Sequence, residues 1–152
     1  MRPLKAIFFD LDGTLLDSIP GIVASLRHAL TETFGSSPND STLVSGIGTP
    51  LIEQMRVHAR SYLNQEPDER FAEQLASAYK AHNLAHHDST IRCFDGVPLM
   101  LEQCVDRGLQ LGIVTSKPHE LARRGLALCG IERPFQFVIG YDDVTHPKPH
   151  PE

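Results

Sequence analysis

The chain has 152 residues, 41% apolar and 22% charged, a size and balance that fit one soluble globular domain with room for a small insert. Fourteen basic against nineteen acidic residues give a net charge of −5, which excludes the electrostatic footprint of a nucleic-acid binder, and no apolar run approaches membrane-spanning length. Met1-Arg2-Pro3-Leu4-Lys5 has no long apolar stretch behind it, and Cys93, Cys104 and Cys129 are too few and too widely spaced for a disulfide framework or a zinc site; a cytoplasmic protein with reduced thiols is expected.

The first element, Ala6-Ile7-Phe8-Phe9, is a short apolar run that stops at Asp10. It reads as a buried parallel strand delivering its end to the carboxyl edge of a sheet, where open α/β folds place their ligands. Asp10 and Asp12 are two apart, so one further extended step turns both carboxylates to the same side, and Gly13 permits an immediate turn. Two acids in one pocket call for a cation, and oxygen-ligated Mg²⁺ serves where a substrate brings phosphate oxygens. In a chemical reading Asp10 attacks phosphorus and forms an aspartyl-phosphate, while Asp12 protonates the leaving alcohol and later deprotonates the hydrolytic water. In a purely structural reading Asp12-Gly13 makes an Asx-turn. The two residues alone leave both open.

Ser18 then caps a helix with Pro20 in its first turn and Ile19, Val23, Leu26, Leu30 and Phe34 at helical spacing, ending at Gly35. Gly35-Ser36-Ser37-Pro38-Asn39-Asp40 reads as a turn. Thr49 is expected to cap a second helix opened by Pro50, with Leu51, Met55, Ala59 and Tyr62 on one face. A third follows Pro67-Asp68, carries Phe71, Leu75, Tyr79 and His82, and ends in a polar stretch around His86, His87 and Asp88. Three helices without an intervening strand predict a small separate bundle. Gly46-Ile47-Gly48 lacks a third glycine and a preceding strand, so it reads as an inter-helix loop rather than a phosphate cradle, and His82, His86 and His87 read as a polar helix face rather than a metal site.

From Arg92 onward the pattern alternates. Gly96-Val97-Pro98 opens a helix closed by Arg107 and Gly108, Leu109 to Val114 is a short apolar strand, a helix runs to Leu128-Cys129 and Gly130, and Phe135 to Ile139 is the next strand. This order implies right-handed crossovers and a parallel sheet. Thr115 and Ser116 stand where strand gives way to helix, a place where hydroxyls either hold an anion or cap the helix. Lys148 lies among Pro147, Pro149 and Pro151 on a semi-rigid loop, where an ammonium is either solvated or neutralises an acid and a phosphoryl group together.

The string Asp10-Leu11-Asp12-Gly13-Thr14-Leu15-Leu16-Asp17-Ser18 closely resembles the first motif of the haloacid dehalogenase superfamily of phosphatases. Ile113-Val114-Thr115-Ser116-Lys117-Pro118 is similar to its second motif, and the proline-rich segment around Lys148 resembles its third. A helical insert directly after the first motif matches the phosphoglycolate-phosphatase-like subgroup. The resemblance implies an α/β fold, a Rossmann-like parallel core from residues 1–15 and 90–152, with a helical cap over 16–89. It implies Mg²⁺-dependent hydrolysis of a small phosphorylated metabolite such as 2-phosphoglycolate, with Asp10 and Asp12 catalytic and metal-binding, and Thr115, Ser116 and Lys148 holding phosphate. The family's fourth, acidic motif would fall beyond Glu152, so the core is expected to be incomplete and C-terminally truncated, with weak Mg²⁺ binding and self-association through an unpaired first strand. Asp142 and Asp143 precede Lys148 and read as loop acids, with a substitute metal role as the alternative. Two further readings accompany the leading one: a catalytically incomplete phosphate- or partner-binding fragment, and a phosphomutase or pyrophosphatase of the same superfamily. A dehalogenase has no use for Asp12 as an acid and base.

Overall fold

In the computed structural model, which describes residues 4–152, the apolar run Ala6–Phe9 is strand β1, followed by a short strand β2 (Leu16–Asp17). Helices α1 (Ile19–Phe34), α2 (Asp40–Ser45), α3 (Leu51–Leu63) and α4 (Glu69–Thr90) come next. The chain then alternates through β3 (Arg92–Cys93), α5 (Val97–Asp106), β4 (Gln110–Val114), α6 (His119–Leu128), β5 (Phe135–Ile139) and a 3₁₀ turn at Tyr141–Asp143. Met1-Arg2-Pro3, which the sequence reading assigns to the core, lies outside the described residues. Contacts divide the chain into two units, one running to Ser18 and resuming over Ile91–Glu152, the other Ile19–Thr90. The predicted boundaries at 15/16 and 89/90 move because Leu16 and Asp17 pair antiparallel with Cys93 and Arg92, a ribbon too short to show in the apolar pattern, and this holds residues 16–18 in the α/β unit.

In the α/β unit the sheet order is β1-β4-β5, all parallel. Its core gathers Leu11, Leu15, Leu16, Ile91, Leu101, Leu111, Ile113, Ala122 and Leu126. Gly112 sits under the ring of Phe137, whose Cζ would lie 2.3 Å from any Cβ there, so only glycine permits that ring to cross the strand. At the neighbouring step the register between β4 and β5 shifts, and the Gln136 carboxamide oxygen accepts a hydrogen bond from Leu111 N at 2.5 Å. β1 is not the buried strand the apolar run predicts. It pairs with β4 on one side, no described strand pairs its other edge, and Phe8 is 63% exposed, its ring 5.5 Å from that of Phe137.

The helical unit contains four helices rather than three. Asn39 makes the additional one by capping α2, its Oδ1 accepting hydrogen bonds from Thr42 N at 3.0 Å and from the hydroxyls of Ser41 and Thr42. This six-residue helix begins at Asp40, where the turn-like stretch 35–40 ends. α1 buries Leu26, Ala29 and Leu30, and with Leu43, Met55, Ala59, Ala72, Leu75 and Ala76 these form the second core. Pro50 itself is the N-cap position of α3, and the Thr49 hydroxyl turns back to the Gly46 carbonyl instead of capping. His87 is buried, contrary to a polar-face reading, with Nδ1 3.0 Å from Asp88 Oδ1 and Nε2 without a hydrogen-bond partner among the described residues.

Candidate active site at the carboxyl edge of the sheet

Because β1, β4 and β5 are parallel and aligned Phe9 to Ile113 and Val114 to Ile139, the loops that leave them depart from one edge. Those loops carry Asp10 to Asp12, Thr115 to Pro118 and Gly140 to Glu152. Two main-chain hydrogen bonds tie the second loop to the end of β5 and to the third loop: Thr115 N donates to the Ile139 carbonyl at 2.9 Å and Tyr141 N to the Lys117 carbonyl at 3.2 Å.

The first loop folds tightly round Leu11. Gly13 takes φ of +75°, and the carbonyl of Leu11 accepts from the amides of Thr14, Leu15 and Leu16 at 2.9–3.2 Å. Asp10 stands half-exposed at the strand end, and Lys148, 138 residues away, donates from Nζ to Asp10 Oδ1 at 3.0 Å. Asp12 is more enclosed. Its Oδ1 accepts from Ser18 Oγ at 2.5 Å and from Lys117 Nζ at 3.0 Å, with the Lys117 side chain 6% exposed and that of Asp12 15%. Each acid therefore has its own lysine.

Thr115 is buried, and its hydroxyl oxygen accepts from Lys117 N at 3.1 Å. It tightens the turn while keeping its own proton to donate. Helix α6 begins only at His119, with Pro118 at the N-cap, so the buried Thr115 and the half-buried Ser116 lie in the loop ahead of the helix. Asp142 and Asp143 are taken up by the start of α6. Asp142 Oδ1 accepts from His119 N, and Asp143 Oδ2 accepts from Gly140 N and lies against His119 Nδ1, all at 2.7 Å. The Gly140 amide, followed by the His119 ring, holds the Asp143 carboxyl below its ordinary range. These contacts tie both acids to the loop that opens α6.

Sequence reasoning missed Lys117 and Ser18 as partners of Asp12. Both stand inside the quoted motifs, but only the fold shows that the Lys117 side chain turns back across 105 positions to the first loop.

Two acids, a buried hydroxyl and two lysines thus gather on the carboxyl edge of a parallel α/β sheet. The chain belongs to the haloacid dehalogenase-like hydrolase family, whose model matches residues 7–152. Similar curated proteins include the pyrophosphatase PpaX of Oceanobacillus iheyensis, 36% identical over 149 residues covering 98% of this chain and 65% of that protein. The PpaX of Bacillus velezensis is 37% identical over 151 residues, covering 99% and 66%. The chain thus spans about two thirds of the length of these relatives. Among solved structures, a predicted phosphoglycolate phosphatase from Haemophilus somnus superposes with a TM-score of 0.86 at 26% identity, over 99% of this chain and 68% of that one.

Proposed function

We propose that this chain is the nucleophile-bearing part of a cytoplasmic phosphohydrolase that cleaves a small phosphorylated substrate through an aspartyl-phosphate on Asp10. The observation that carries the reading is the contact of Lys148 with Asp10 at 3.0 Å, because it joins a candidate nucleophile to a cation able to neutralise both the acid and the incoming phosphoryl group. An Asp10 oxygen forms the new bond to phosphorus as the bond to the leaving oxygen breaks, and that oxygen takes its proton from Asp12. Water then attacks the phosphorus, its proton passes to Asp12, and phosphate departs from a regenerated Asp10. Ion-paired with Lys117 and accepting from Ser18, Asp12 stands as the base of the second half-reaction, and the proton it gains there serves the next leaving group. Thr115 and Ser116, on the loop joined to the Lys148 loop, hold phosphoryl oxygens.

The donors the first loop offers are all oxygens, the Asp10 carboxylate and the Asp12 main-chain carbonyl, and Asp10 is 47% accessible with Oδ1 engaged by Lys148; this suits a hard cation. Mg²⁺, when bound there, supplies positive charge to the phosphoryl oxygens. Two substrate classes follow from the relatives. PpaX proteins at 36–37% identity favour inorganic pyrophosphate, and the phosphoglycolate-phosphatase-like structure at 26% supports a phosphomonoester such as 2-phosphoglycolate. Pyrophosphate, 2-phosphoglycolate and an aryl phosphate are assayed with Mg²⁺ on wild type and Asp10→Asn. Hydrolysis by wild type that Asp10→Asn abolishes, with beryllium fluoride bound by wild type alone, supports the reading. Turnover retained by Asp10→Asn refutes the nucleophile, and phosphate binding without turnover in the wild type leaves the non-catalytic reading standing.

A further inference from the structure

The segment Thr145–Glu152 closes on itself. Glu152 Oε1 accepts from Thr145 N at 3.1 Å, Oε2 accepts from His146 N at 2.9 Å and lies 2.8 Å from His146 Nδ1, and Glu152 N donates to His150 Nδ1 at 3.2 Å. The His146 and His150 rings face each other with centroids 4.6 Å apart, tilted by 36°. One donor atom from each of His146, His150 and Glu152 lies within 4.8 Å of the other two, and all three residues are exposed.

We propose that His146, His150 and Glu152 form a binding site for a divalent transition-metal ion of the zinc class, separate from the oxygen ligands at Asp10. Two imidazoles and a carboxylate are the donors such an ion prefers, whereas Mg²⁺ takes oxygen ligands and keeps its water. A tetrahedral ion about 2.0–2.1 Å from each donor needs donors roughly 3.4 Å apart, and the observed donors already lie within 4.8 Å of one another. Pro147, Pro149 and Pro151 alternate with the residues between them and restrict φ at every second position, so little ordering remains for the metal to impose. The Thr145 and His146 amides hold the Glu152 carboxyl beside the His146 ring, so two of the three donors already lie together. Metal binding replaces the proton shared between His146 and Glu152, and three ligands leave a fourth position open to water or to an anion.

The test is a Zn²⁺ titration of the 152-residue chain at neutral pH with Mg²⁺ in excess, read by competition with a chromophoric chelator, with Co²⁺ absorption as the spectroscopic probe of ligation. The expected result is one Zn²⁺ held with dependence on all three residues. His146→Ala, His150→Ala and Glu152→Gln should each weaken binding by at least the 10–100-fold that loss of a mere outer-shell partner causes. His82→Ala/His86→Ala is the control, because His82 stacks on His28 and His86 with centroids 4.4 and 4.2 Å apart and so forms another gathering of imidazoles. Absence of Zn²⁺ binding, binding unchanged in His146→Ala/His150→Ala, or binding lost only in the control would each overturn the site. The readout is binding alone, so the outcome does not depend on whether the chain hydrolyses phosphate.

Discussion

Two lysines lie at the same distance, 3.0 Å, from their acids, yet removing them should have very different effects on stability. At an effective dielectric of about 20 the gross attraction in either pair is roughly 5 kcal/mol, so distance does not separate them. Solvent does. Lys117 and Asp12 are 6% and 15% exposed, against 34% and 47% for Lys148 and Asp10. Lys117→Met leaves the Asp12 carboxylate enclosed with Ser18 as its remaining donor, and a buried pair broken on one side costs about 3–5 kcal/mol; the Ser18 hydrogen bond and the residual exposure place this case near 3. Lys148→Met removes a pair that water already screens, worth about 0.2–1 kcal/mol. With a urea dependence of about 2 kcal/mol per M, the midpoint should fall by roughly 1.5 M for Lys117→Met and by less than about 0.5 M for Lys148→Met. Far-UV circular dichroism would follow the transition, and amide exchange in β4 would assign it to the α/β unit. Asp12→Asn/Lys117→Met should recover part of the loss, since no charge is then stranded. Equal midpoint shifts for the two lysine variants, or strict additivity in the Asp12–Lys117 double variant, would refute this account of burial.

Asp12→Asn should slow hydrolysis most for substrates with poor leaving groups and least for activated aryl phosphates, which need little protonation; equal loss across leaving groups would remove its acid role. Burial lowers the His58 pKa, and burial followed by His86 and His28 lowers that of His82, both from an ordinary 6.5. Between the folded and unfolded values the unfolded chain binds more protons, so stability is complete above about pH 6.5 and declines as pH falls below it. Thermal melts at neutral pH and near pH 5.5 should show the decline, and His82→Asn should reduce it; a melt independent of pH over that interval would contradict both assignments. The open edge of β1 and the exposed Phe8 predict self-association, which sedimentation should detect in the wild type and find diminished in Phe8→Lys.

Much of this protein is legible locally. An apolar run ending at Asp10, the glycines closing α1, α5 and α6, and β5 at Phe135–Ile139 follow from strand composition and backbone preference, which neighbours in sequence determine. So does the order of Asp10 and Thr115, each directly after an apolar strand, and of Lys148 on the loop that leaves β5. The tertiary structure decided which of these residues meet. The parallel register of β1 and β4 brings Lys117 to Asp12, antiparallel pairing of β2 with β3 moves the unit boundary, and Phe8, which reads as core in the sequence, stands mostly in solvent. Burial of His87 and the handing of Asp142 and Asp143 to His119 belong to the same group. The physical reason is one of range: turns, caps and periodicity act over a few residues, whereas an ion pair spanning 105 positions exists only after the sheet has set which loops share an edge and how much water reaches them.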